Sequence, residues 1–137
     1  MKLGEIKIQS LMLIFPSAEL EYDESDLNEV VFVLKAHPSY ASYISGSVGA
    51  INRALGIIEA QTQKPLKRIS YQTSNDSEME IDEALAQIIP YFVKADLLLS
   101  ESPSESRDAR EIFDNLLARV LKNEAISQSV YSYGELK

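Results

Sequence analysis

Residues 40–61, YASYISGSVGAINRALGIIEAQ, decide the class of fold. Tyr40, Ile44, Val48, Ile51, Leu55 and Ile58 recur at steps of four and three, a spacing that gathers apolar side chains on one side of an α-helix. Pro38 suits a first helical turn, where the N–H it lacks would have no partner, so a helix is expected over residues 38–61. Pro65 lies beyond its end. Beside the stripe, Ser45, Gly46, Gly49, Ala50 and Ala54 would let a second backbone come close, within one bundle or, as the alternative, across a subunit contact.

Toward the N-terminus, the apolar pattern of LGEIKIQSLMLI predicts a helix over Leu3–Ile14, ended by Pro16, which pushes its predecessor out of the helical region. Residues 27–35, LNEVVFVLK, allow two readings. Ser25 or Asp26 could cap a short helix, while Val30, Val31 and Val33 suit a strand; the helix is preferred. Toward the C-terminus, LKRISYQTS alternates without an apolar side and predicts an extended loop or short strand near residues 66–73. Leu85, Ile88, Ile89, Phe92, Ala95 and Leu99 then mark one helix over residues 81–99. Pro90 falls inside it, and a bend near residues 86–90 is expected.

SPSESRDAR opens the last helix, with Ser102 as N-cap, Pro103 at the first position and Glu105 at the third. Ala109, Ile112, Phe113, Leu116 and Val120 should face the core, and Arg107 with Glu111 and Arg110 with Asp114 should pair at i, i+4 spacing. From Asn123 onward the periodicity lapses, so residues 123–137 read as a non-helical tail, mobile in the isolated protein. The expectation is an all-α fold: a small bundle of four to five helices, one bent at Pro90, forming a single domain over residues 1–122.

Composition narrows the chemistry. At 137 residues the chain suits one domain, and with no cysteine it has neither disulfides nor thiolates. The first residues have no small-residue cleavage site and carry Glu5 and Lys7 within the apolar pattern, so neither signal peptide nor membrane anchor is expected. A net charge of −8 opposes general binding to duplex DNA. Acids cluster at residues 19–29 and 76–83, each read as a solvated loop leading into a helix. His37 is the single histidine, which argues against a zinc or histidine-based catalytic site. The run Asp76, Glu78, Glu80 fails as a calcium loop, with Ile81 where glycine is needed and Gln87 where glutamate is needed. GSVGA lies inside a helix and makes no phosphate loop. No enzyme activity, metal or cofactor is expected. Lys94 and Asp96 read as a wet face. KPLKR, residues 64–68, with Tyr71 is a small basic and aromatic spot that could touch nucleic acid, though its lysines are expected to meet the C-terminal end of the preceding helix.

YASYISGSVGAINRALGIIEAQTQKPLKRI (residues 40–69) and IIPYFVKADLLLSESPSESRDAREIFDNLLARV (residues 88–120) together resemble the head-to-tail connector, or adaptor, proteins of long-tailed bacteriophages and prophages. The start GEIKIQSLMLIF is similar to theirs too. The likeness is carried by Ile51, Asn52, Arg53 and Ala54, by Ile89, Pro90, Tyr91, Phe92 and Lys94, and by Ala109, Arg110 and Phe113. It implies a ring beneath the portal protein that extends the DNA channel and offers a surface to the tail or stopper protein. The subunit would be made in the host cytoplasm and reside in the virion neck, with DNA only as passing cargo.

Arg53 is the candidate for a polar contact, with a carboxylate inside the fold preferred over one on a neighbour. Val130, Tyr131 and Tyr133 are candidate interface residues, because tyrosines bring large contact area with a hydrogen-bonding tip. The alternative function is a helical regulatory module of a prophage that captures a protein partner through this tail.

Overall fold

The computed structural model describes residues 1–16 and 40–135, with side chains at residues 1–16, 43 and 45–124. The expectations for residues 27–35, the acidic block 19–29, His37 and Pro38 lie outside the described residues, as do the side chains of Tyr40 and Ile44. The architecture is an all-α bundle of α1 (Leu3–Ile14), α2 (Tyr40–Thr62), the single turn α3 (Glu83–Ala86), α4 (Ile89–Leu97) and α5 (Pro103–Glu135).

The bounds of α1 are those the sequence predicts. A helix start leaves its first N–H groups without intrahelical partners, and here the 75–77 loop supplies them. Leu3 N–H donates to the Ser77 carbonyl at 3.0 Å and Gly4 N–H to that of Asn75 at 2.8 Å. The acidic block 76–83 is therefore more than a solvated lead-in: Asp76 pairs with Lys2 at 2.8 Å, and Glu78 and Glu83 with the Met1 ammonium. Lys7 is buried beside this clasp with Asn75 Oδ1 at 2.8 Å, and its burial lowers its pKa.

At its C-terminal end, α2 stops at Gln63, the one described non-glycine residue with positive φ (57°). Its N–H closes the last turn on the Glu59 carbonyl at 2.7 Å, and Pro65 prevents continuation. Residues 66–73 are an extended loop ending in a turn; among the described residues no strand forms, only an isolated bridge between Lys2 and Glu78.

Where one bent helix was expected over residues 81–99, there are two, α3 and α4, separated by a turn at Gln87–Ile88. A continuous helix would need residue 90 to donate to the Ala86 carbonyl, which proline cannot do. The break instead puts Pro90 in the first turn of α4, where its missing N–H costs nothing and it is fully buried.

The hub is α4, which packs against α1, α2 and α5. Leu3, Ile6, Ile51, Leu55, Ile58, Ile89, Val93 and Phe113 fill one core, all with at most 1% exposure. Phe92 and Phe113 meet edge to face with centroids 5.3 Å apart. A second cluster gathers Ile8, Leu11, Tyr43 and Leu98, with Phe15 edge-on to Tyr43 at 5.1 Å. The small residues of α2 serve packing inside the bundle: Ala50 and Ala54 are fully buried, and a Cβ on Gly46 would come within 2.9 Å of Leu97 Cδ2 on α4. On the α4–α5 side, Ser106 Oγ donates to the Ala95 carbonyl at 2.5 Å.

Three further expectations are corrected. Leu99 is 66% exposed, since α4 ends at Leu97 and the stripe cannot be extended through the following turn, where Leu98 is buried. Ile112 is 44% exposed because Ala109, Phe113 and Leu117 set the core side of α5 at steps of four. The backbone of residues 123–135, expected to be non-helical, continues α5. Ile126, Val130 and Tyr133 in fact recur at steps of four and three, and the only glycine there, Gly134, comes in the final turn.

Candidate functional site

Arg53 finds its carboxylate inside the fold. From α2 its Nε donates to Asp96 Oδ1 on α4 at 3.1 Å, and Nη2 donates to Oδ2, a two-pronged contact that raises the pKa of the guanidinium. Gly49 makes room for it, since a Cβ there would lie 3.2 Å from Arg53 Nη1. With 58% of the arginine side chain exposed, the pair contributes at most about 1 kcal/mol and serves chiefly to fix the pose of α2 on α4. Asp96, read from sequence as wet, is the partner that reading missed; only the fold brings positions 53 and 96 together. Val130, Tyr131 and Tyr133 have side chains outside the described residues.

Asp96 stands at the rim of an open groove of 540 Å³ between α4 and α5. Phe92, Ala95 and Leu99 give it apolar surface, and Arg107 and Arg110 edge it. Arg110 lies 5.1 Å over the Phe92 ring and donates from Nε to Asp114 at 3.1 Å, the i, i+4 pair expected. An apolar side chain with polar neighbours would fit such a groove.

A second feature is the loop after α2. Asn52 holds it like a neighbouring strand: its Nδ2 donates to the Ile69 carbonyl and its Oδ1 accepts from Ile69 N–H, both at 2.9 Å. Glu59 holds it nearby, accepting from Leu66 N–H at 2.8 Å and from Arg68 Nη2 at 2.9 Å. Those two donors, the backbone N–H first, lower the Glu59 pKa. It is thus Arg68, not the lysines, that reaches back to the end of α2.

At the opposite end of the bundle the Tyr43 hydroxyl donates to Glu101, and burial, reinforced by that carboxylate, pushes its pKa up to about 12. Among the described residues no group of His, Cys, Asp and Glu side chains is arranged to hold a metal ion, and no helix is long and apolar enough to cross a membrane.

In comparisons with known proteins, no family model matches the chain, and no curated protein or solved structure is significantly similar to it.

Proposed function

We propose that the chain is a structural protein of a phage neck, forming a homo-oligomeric ring between portal and tail that extends the DNA channel during virion assembly. One observation carries this reading. Of the twelve residues that carry the likeness to connectors, Ile51, Ala54, Ile89, Pro90, Phe92, Ala109 and Phe113 are buried where α2 and α5 pack on α4, while Asn52, Tyr91 and Lys94 are half-buried and Arg53 and Arg110 exposed. Most of the likeness thus lies at packing positions, which supports reading the subunit as built in the connector manner. In this reading the chain has no catalytic role and no cofactor. Its partners are the portal protein on one side and a tail or stopper protein on the other, with the open α4–α5 groove available to them and residues 124–137 proposed as the segment that attaches to the portal.

Attachment to portal rings is the direct test. Purified chain mixed with the portal of the same virion should co-sediment with it and add a ring of density at the tail side in electron micrographs. Truncation after Asn123 should abolish attachment with the melting temperature nearly unchanged, since among the described side chains of α5 the last buried one is Leu117. Full-length chain that stays in the supernatant at saturating portal would overturn the neck assignment.

A further inference from the structure

We propose that the loop at residues 64–71 is a binding site for the phosphodiester backbone of nucleic acid, with single strands the stronger ligand. The chain has 21 acidic residues, yet none occurs from Ala60 to Asn75, a window that holds Lys64, Lys67, Arg68 and Tyr71. Local charge there is opposite to that of the molecule. Of these cations Arg68 is occupied by Glu59, whereas the ammonium groups of Lys64 and Lys67 are exposed and have no partner among the described residues. Tyr71 is 75% exposed, the most exposed of the large hydrophobic side chains described, and it too is without a partner.

These groups are presented on a braced backbone. Asn52 and Glu59 hold Ile69 and Leu66, Pro65 fixes one φ, and a turn closed by Thr73 N–H on the Ser70 carbonyl at 3.1 Å carries Tyr71. The Thr73 hydroxyl also accepts from Ser70 N–H at 2.9 Å. Bracing lowers the entropy that binding must remove. Two free ammonium groups on the same loop as an exposed aromatic ring are the combination that single strands use: cations follow the phosphates and the ring takes a base face. The net charge of −8 opposes a duplex more than a single strand, because the duplex carries twice the phosphate density. This inference is independent of the neck assignment and is measured on the isolated chain, so either can fail without the other.

Fluorescence anisotropy of the full chain with a labelled oligothymidylate of about 12 nucleotides, beside a duplex of equal length, tests it. Single-strand binding is expected at low salt with a Kd on the order of 100 μM, and log K should fall with log salt at a slope of about −1.5, as for two neutralised phosphates. Lys64→Glu with Lys67→Glu should weaken it more than about tenfold, while Arg119→Glu with Lys122→Glu, the same change in net charge on exposed positions of α5, should change it less than about twofold. Tyr71→Ala should weaken single-strand binding about tenfold and leave duplex binding unchanged. Absence of binding at low salt, or equal loss in the α5 variant, would overturn the site. So would displacement by polyglutamate at equal charge, which would make the loop a dock for an acidic protein; a duplex preferred over the strand, with Tyr71→Ala silent, would overturn the stacking role.

Discussion

Replacing Phe113 by alanine is expected to cost about 3–5 kcal/mol of folding stability, the range for buried aromatic side chains. Phe113 is fully buried on α5, meets the Phe92 ring edge to face, and belongs to the same cluster as Leu3, Ile51 and Val93. Its removal opens a void in that cluster, against Phe92 of α4. The Ser106 to Ala95 bond ties α5 to α4 beside it and resists their closing on the void. Equilibrium unfolding in denaturant should therefore show a lower midpoint with an unchanged slope. A loss under about 1 kcal/mol would mean that α5 carries a different face to the core.

Leu55→Ala should cost about 2–5 kcal/mol for a related reason on the other side of the bundle. Leu55 is 1% exposed, and α2 already comes near α4 because Gly46, Ala50 and Ala54 are small. Helices in such contact have little further travel available, so the cavity persists rather than collapsing. Differential scanning calorimetry would read the loss directly. A change below about half a kcal/mol would place Leu55 on the surface and refute the register of α2.

Much of the fold was legible in sequence because single-helix periodicity is a local property. The stripe Val48, Ile51, Leu55, Ile58 and the bounds of α1 follow from neighbours three and four residues apart, and both stand. What failed was phase across interruptions. Pro90 is plain in the sequence, but its resolution as a start rather than a bend depends on a turn at Gln87–Ile88 that no apolar spacing announces. Leu99 was then extrapolated past the end of α4. The final turns of α5 are hard to read because three serines, a glutamine and one tyrosine between Ile126, Val130 and Tyr133 mask their spacing.

The polar contacts divide in the same way. Arg110 with Asp114 is readable at i, i+4, whereas Arg107 and Glu111, expected from the same spacing, do not pair. Arg53 reads as a residue needing a carboxylate, but which one depends on how α2 crosses α4, and Asp96 lies 43 positions away. Asn52 offered no local sign that it would brace Ile69.

The clasp around α1 bears on the order in which the chain assembles. Bonds linking α4 to α5 span 11 residues and those of Asn52 to the loop span 17, whereas Lys2 reaches Asp76 across 74. Ring closure over a longer stretch loses more chain entropy, so the short-range pairs can nucleate first and α1 is the last piece to be gathered in. By the same token it is the first to leave. Native-state hydrogen exchange should find the amides of α1 opening at lower free energy than those of α4, and equal protection of both would show that the molecule opens only as a whole.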